Sequence, residues 1–253
     1  MTSTTDSPSA QHEPVLAGQT VVVIGGSAGI GLETARLACG EGADVVITAR
    51  DPDRLQSVGR ELGASTASFD ATDFEELAKF FGALSTPIDH VMVTGPGPYY
   101  APLQAFNVGE ARRDVEAHLL LPIQVARITA GKVNSGGTLL FMSGTAGRRT
   151  AVGFALISAL TAALPALIKN LALELAPVRV NLIAAGFVDT PLSARLLGKQ
   201  LDTRREQLRR TLPIRRVVGP ADIGALAVHL MANRAVTGAT FDIDGGQQVV
   251  AAG

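Results

Sequence analysis

With 253 residues and a formal net charge of −1, the chain has the size of one large α/β domain and no charge excess that would draw it to nucleic acid or an anionic membrane. Its single cysteine, Cys39, excludes an internal disulfide and fits a reducing cytoplasm, the localisation expected here; Cys39 itself reads as a small apolar residue on the first helix. Residues 1–15 are rich in Ser and Thr, carry Pro8 and Pro14 and have no apolar run. They read as a disordered tail rather than a signal peptide, leaving residues 16–253 as one domain.

In chain order, Val- and Ile-rich runs at 20–24, 44–48, 66–69, 90–93, 138–142, 179–184 and 240–243 read as strands. They show little polar alternation, as parallel strands covered on both faces should. Helical patterns fall between them. One begins at Gly29, and a second follows Asp51-Pro52, an N-cap with proline at the first helical position. A third is expected near Thr72, with Glu75 completing a capping box. Repeated β-α-β units imply right-handed crossovers and a Rossmann-like doubly wound sheet of about seven strands, with helices on both faces.

Residues 151–168 carry no charge and reach the lower edge of membrane-spanning length. They contain Gly153, Ser158, Thr161 and Pro165, and read instead as a helix packed on the sheet and on another subunit; Pro165 should kink it. Residues 189–211 read as a polar, Arg-rich helical insertion.

The first strand runs into Gly25-Gly26-Ser27-Ala28-Gly29-Ile30-Gly31. Gly25 permits a tight turn, Gly29 lets the backbone approach phosphates, and Gly31 lets the helix pack on the strand. Ile30 and its neighbours open a helix whose unpaired N–H groups suit a pyrophosphate. The competing reading is a flexible turn without a ligand.

Further on come Gly153-Phe154-Ala155-Leu156-Ile157-Ser158-Ala159-Leu160-Thr161, then Leu171-Ala172-Leu173-Glu174-Leu175-Ala176-Pro177 and Val178-Arg179-Val180-Asn181. With the glycine turn, these segments resemble the short-chain dehydrogenase/reductase family over almost the whole chain. The resemblance implies a dinucleotide site made from Gly25, Ser27, Gly29, Ile30, Gly31, Arg50, Asp70, Ala71, Gly95, Val188 and Thr190. Ala49 stands where NAD-preferring members carry an acid, and Arg50 follows. Arg50 and Ser27 suit a 2′-phosphate, so NADP(H) is expected in preference to NAD(H), unless Arg50 only stacks on adenine or is solvated. Asp70 matches the family acid that binds the adenine amino group, or else serves only as a turn residue. Val188 and Thr190 match the residues that hold the nicotinamide carboxamide, and the resemblance implies that the 189–211 insertion lies on the substrate side.

The family's catalytic side chains are replaced position by position. Gly144 stands for Ser, Ile157 for Tyr, Thr161 for Lys and His118 for Asn. Ser143 should point to the opposite face of its strand, and Ser158 lies about 100° round its helix from Ile157, so neither substitutes. His118, Tyr99 and Tyr100 are the candidate proton donors, each with a packing role as its alternative. Arg148-Arg149 suits a substrate carboxylate or phosphate, or is a solvated or interface pair. Arg204, Arg205, Arg209 and Arg210 read as a solvated helix face with Glu206.

No metal site is expected. Two functional readings stand. One is an NADP(H)-dependent oxidoreductase acting on a small carbonyl/alcohol or imine-type substrate through a non-standard site. The other is an inactive dinucleotide-binding sensor or partner subunit. A homodimer or homotetramer is expected from the apolar helix and the C-terminal strand, which match family subunit contacts.

Overall fold

The computed structural model describes residues 13–85 and 87–250. The tail expected at residues 1–15 therefore lies, for its first twelve positions, outside the described residues. From there the buried Leu16 leads into β1 (Thr20–Ile24), which is followed by α1 (Gly29–Gly40), β2 (Asp44–Ala49), α2 (Pro52–Leu62) and β3 (Ser65–Ser68). The chain continues through α3 (Phe74–Ala83) and β4 (Ile88–Val93). Next come α4 (Val108–Val115), a π-helical turn at Glu116–Leu120, α5 (Leu121–Thr129), β5 (Val133–Gly144), α6 (Ala155–Glu174) and β6 (Arg179–Ala185). The last elements are α7 (Pro191–Leu197), α8 (Leu201–Thr211), α9 (Pro220–Ala232) and β7 (Thr240–Ile243).

The seven strands form one parallel sheet in the order β3-β2-β1-β4-β5-β6-β7. Strand side chains alternate between faces, and the core divides accordingly. Val21, Val23, Met92, Leu140 and Ile183 face α1, α2 and α9, while Val22, Ile24, Val91, Leu139, Phe141 and Leu182 face α3, α5 and α6. This explains why the central strands β1, β4 and β6 read as apolar runs with little polar alternation: each face is covered by helices, whereas the edge strand β3 is polar and largely exposed. The strand order reverses between β1 and β4, so their C-terminal ends open the crevice in which such sheets carry their ligands.

One local expectation changes, at the start of α3. The cap of α3 is Asp73, whose carboxylate accepts from the N–H groups of Glu75 and Glu76, both at 3.1 Å. Thr72 instead donates its hydroxyl to Asp70 at 2.8 Å, so the expected capping box is absent. Pro165 does not end α6, which runs through it for 20 residues. Among the described helices, α6 alone is long and apolar enough to cross a bilayer. Its buried face, with Ile157, Leu160, Thr161, Leu164, Ile168 and Leu171 at helical spacing, rests on the rest of the fold.

Candidate active site

The glycine turn is held by the sheet. Gly25 and Gly26 donate their N–H groups to the Thr48 carbonyl at 2.9 and 3.0 Å. Gly25 has φ +87°, and a Cβ there would lie 2.2 Å from the Thr94 hydroxyl oxygen. That hydroxyl is fixed, donating to the carbonyls of Ile24 (2.9 Å) and Gly25 (3.2 Å). A Cβ on Gly31 would meet the Gly25 carbonyl oxygen at 2.3 Å, so glycine is what brings α1 down onto the turn.

Ala28 caps α1 without a side-chain hydrogen bond, and no acid lies in the first turn. The first N–H groups of a twelve-residue helix are therefore left for a ligand, with the positive end of the helix dipole behind them. Gly29, at φ +54°, has Thr190 as its nearest neighbour, with Cγ2 3.5 Å from where a Cβ would sit, so α1 and the segment before α7 form facing walls. Ser27 is half-buried beside this turn, and Ile30 packs its side chain into the core. These residues fit a dinucleotide pyrophosphate.

On the β2 and β3 edge, Ala49 pairs with Ser68, and Arg50 projects beyond the sheet. The Arg50 guanidinium lies 3.9 Å from Asp70, and both side chains are exposed, a geometry that leaves the cation free to exchange partners. Asp70 also accepts from the Thr72 N–H and hydroxyl. Burial alone would raise its pKa, but these hydrogen bonds and Arg50 hold the carboxyl below its ordinary range. Asp70 is thus a turn residue whose second oxygen still faces Arg50, and Ala71 packs against the core behind it.

Across the crevice, Gly144, Ile157 and Thr161 come together. A Cβ on Gly144 would point at the Thr161 methyl, 3.8 Å away, and both Ile157 and Thr161 are buried. Thr161 donates its hydroxyl to the Ile157 carbonyl at 2.7 Å. Ser158 donates to the Ala146 carbonyl at 3.0 Å, which commits it to the turn after β5. This wall offers hydrocarbon and hydroxyls already spent on backbone.

His118 lies on the π-helical turn, with Nδ1 3.0 Å from a carboxylate oxygen of Asp114 and Nε2 3.3 Å from the Pro96 carbonyl. Burial by itself would lower its pKa. Hydrogen bonds to Asp114 and the charge of that carboxylate win, and the pKa is raised. Both ring nitrogens therefore meet acceptors, as an imidazolium requires. Gly95 lies against the same ring, since a Cβ there would be 3.4 Å from Nε2. Asp114 also accepts from the Tyr99 N–H at 3.1 Å, while its second carboxylate oxygen is buried without a partner.

The two tyrosines separate. Tyr99 packs on Phe106, and its hydroxyl accepts from the Asn107 N–H at 2.7 Å and donates to the Ala105 carbonyl at 3.4 Å. It is a loop-fixing residue. Tyr100 stacks on Phe154, with ring centroids 5.0 Å apart, one helical turn before Ile157. Burial, and secondarily the charge of Asp114, raises the Tyr100 pKa and keeps the phenol protonated.

The arginines also part. Arg148 is paired with both oxygens of Asp242, whereas Arg149 donates to the Gln247 carbonyl at 2.6 Å. On α8, Arg205 pairs with Asp189 and Asp202, and Arg209 and Arg210 pair with Glu206, as a solvated face should. Arg204 departs from that face, with its guanidinium 6.0 Å over the Phe187 ring. Val188 and Thr190 cap α7 through Ser193, whose N–H donates to the Thr190 hydroxyl and whose hydroxyl donates to the Val188 carbonyl. Among the described residues, no group of three His, Cys, Asp or Glu side chains is placed to hold a metal.

A family profile described as enoyl-(acyl carrier protein) reductase matches residues 25–248. The uncharacterized oxidoreductase MT0954 of Mycobacterium tuberculosis is 32% identical over 250 residues, covering 90% of this chain and 91% of the relative. The chain belongs to the short-chain dehydrogenase/reductase family. Its fold superposes on the MalC Reductase/Diels-Alderase from Malbranchea aurantiaca with a TM-score of 0.87, at 22% identity and covering 94% and 99% of the two chains. It also matches a small-chain dehydrogenase in complex with NADPH at 25% identity and a TM-score of 0.78, covering 91% of this chain and 99% of that one.

For a short-chain dehydrogenase/reductase, the residue most easily missed in this chain is Asp114. It stands four residues before His118, the spacing that puts two side chains on one helix face, so the pair was visible in the sequence as Asp-x-x-x-His. Phe187 and Gln247 carried no such local signal. Their association is made by tertiary structure, where the Gln247 side-chain oxygen accepts from the Phe187 N–H at 2.9 Å.

Proposed function

We propose that this short-chain dehydrogenase/reductase binds NADP(H) in preference to NAD(H) and exchanges a hydride with a small carbonyl/alcohol or imine-type substrate in a site without the family's Ser, Tyr and Lys. The observation that carries the reading is the contrast inside one crevice. The uncapped start of α1 faces Thr190, while Gly144, Ile157 and Thr161 present hydrocarbon opposite. Support for NADP(H) comes from Ala49 in place of an acid and from Arg50, held only by a long exposed contact to Asp70. A structural neighbour that binds NADPH adds to it.

When bound, the reduced dinucleotide supplies hydride. An iminium carbon accepts a hydride with no proton, whereas a carbonyl oxygen needs one. Ile157 and Thr161 exclude water from this wall and move no proton. His118 turns both nitrogens to acceptors of the chain itself, so it holds Asp114 and the Pro96 loop in place. Tyr100, stacked on Phe154 at the start of α6, is then the proton donor for substrates that need one, and its raised pKa makes it a weak acid that suits a slow carbonyl reaction. A neighbour named both a reductase and a Diels-Alderase is in keeping with chemistry of an unusual kind on this scaffold. Assembly as a homodimer or homotetramer belongs to the same reading, and size-exclusion chromatography with light scattering tests it.

Fluorescence titration with NADPH and NADH, followed by turnover across a carbonyl and imine panel, tests the function. The expected result is tighter NADPH binding, NADPH oxidation with at least one imine-type or acid-bearing substrate, and a slower carbonyl rate in Tyr100→Phe. Saturable NADPH binding with no turnover across the panel would replace this reading with a dinucleotide-dependent sensor or partner subunit. Unchanged rates in Tyr100→Phe and His118→Ala would remove both side chains from the mechanism.

A further inference from the structure

We propose that Arg149 and Arg204, both linked to Phe187, form a subsite for an anionic group of the substrate, a carboxylate or a phosphate. The inference rests on the reading that the crevice beside Val188 and Thr190 is where the substrate meets the dinucleotide.

The two arginines lie 55 positions apart in sequence and are joined through one short chain of contacts. Arg149 donates to the Gln247 carbonyl, the Gln247 side chain accepts from the Phe187 N–H, and Arg204 covers the Phe187 ring. Phe187 immediately precedes Val188, which puts the cluster next to the segment whose Thr190 faces Gly29 of α1. Both arginines are half-buried.

Neither has a carboxylate partner among the described residues, in contrast to the other arginines around them. Arg148 has taken Asp242, Arg205 has taken Asp189 and Asp202, and Arg209 and Arg210 share Glu206. Asp244, the remaining nearby acid, is spent on the N–H groups of Gly246 and Gln248 and on the Gln248 amide. Arg204 uses one nitrogen on Gln207 and Arg149 one on Gln247, which leaves most of the five N–H donors of each guanidinium unused.

Two cations held near each other without a counter-ion repel and lose hydration. Burial, followed by the charge of Arg149, lowers the Arg204 pKa. An anion placed between them removes the repulsion and accepts from two guanidiniums, and the Phe187 face favours an apolar or aromatic stem behind it. Because Arg149 follows β5 while Arg204 rides on α8, the same anion would tie α8 to the sheet.

Isothermal titration of the full chain loaded with NADP+ tests the subsite, with benzoate and phenyl phosphate as anions and benzamide as the neutral control. At least one anion should bind about tenfold or more tighter than benzamide. Whichever of the two binds more tightly identifies the source of the charge. Arg149→Gln and Arg204→Gln should each remove most of that preference, Arg204→Lys should restore part of it, and Arg209→Gln should leave it intact. Anions that bind no better than benzamide, or equal binding in wild type and both Gln variants, would overturn the proposal. NADPH affinity, measured separately, should be the same in all variants. If NADPH fails to bind the wild type, the titrations are run without cofactor: a preference sensitive to Arg149 and Arg204 then upholds the subsite while the cofactor reading falls. Loss of the preference with NADPH bound defeats the subsite alone.

Discussion

The β1–α1–β2 side of the crevice and the β5–α6 side differ in where their hydrogen-bonding groups are spent. On the first side, side chains and glycines are arranged so that backbone N–H groups at the start of α1 stay open, and Arg50 keeps only a long contact to Asp70. On the second side, Thr161 and Ser158 close their hydroxyls on the carbonyls of Ile157 and Ala146, and Ile157 contributes hydrocarbon. One wall is kept for a ligand and the other is sealed. On the proposed reading, dinucleotide binding and proton transfer rest on different residues, so variants should be able to break one without the other.

The largest expected effect is at the turn. Gly25→Ala places a Cβ 2.2 Å from a Thr94 oxygen that two carbonyls hold still, and does so at φ +87°. We expect a loss of at least about 2 kcal/mol in unfolding free energy, because an L side chain is strained at that backbone conformation. NADPH affinity should fall by on the order of a hundredfold, read by fluorescence titration. Normal binding in this variant would erase the contrast between the two walls.

Outside the two walls, acid should act through two histidines with opposite sign. His90, on β4 and paired to Val21 of β1, is buried with Nε2 2.7 Å from the Gln19 side-chain oxygen and Nδ1 unpartnered. Burial first, then the charges of Arg179 and Arg234, with Asp89 opposing, lower its pKa to about 4. The unfolded chain takes a proton near 6.5 that the folded chain refuses. This contribution is complete above pH 6.5 and is lost as pH falls towards about 4, a total of roughly 3 kcal/mol on the scale of 1.4 kcal/mol per unit. Its counterpart is His118, whose raised pKa makes its contribution complete below 6.5 and lost as pH rises through the folded value. Urea unfolding between pH 4 and 8 should show the acid limb in wild type and its removal in His90→Gln.

A smaller effect sharpens the ligand-facing wall. Arg50→Ala should weaken NADPH about tenfold, on the scale of one charge-assisted hydrogen bond, and leave NADH nearly unchanged. Equal losses for both nucleotides would make Arg50 a stacking residue instead.

The sheet was legible because its central strands β1, β4 and β6 are largely buried apolar runs, which coverage on both faces explains; the edge strand β3, Ser-Thr-Ala-Ser, carries no such signal, and β5 proved longer, reaching Val133–Gly144. The glycine turn was legible for a related reason, since Gly25 and Gly31 answer steric demands that leave a spacing in the sequence. Caps were harder. Thr72 was expected at the start of α3, but Asp70 captures its hydroxyl and the adjacent Asp73 takes the cap. The arginines were least legible. Arg148 and Arg149 are neighbours in sequence with different fates, decided by Asp242 and Gln247 more than ninety residues away.

The sealed wall yields the smallest predicted effect. Thr161→Val removes a hydroxyl whose main acceptor, the Ile157 carbonyl, still receives the N–H of residue 161 in the helix, so no buried acceptor is left bare. Pro165 has no N–H to offer the Thr161 carbonyl, but the substitution does not alter that. The stability change should stay under about 1 kcal/mol, as befits a hydroxyl back-bonded within its own helix. NADPH affinity and turnover with the best substrate of the panel should both stay within a factor of about two, since a bond internal to the helix stabilises no transition state. A large fall in turnover with unchanged affinity would show that the hydroxyl leaves Ile157 during the reaction and that this wall opens; an equal fall in both would place Thr161 against the nucleotide.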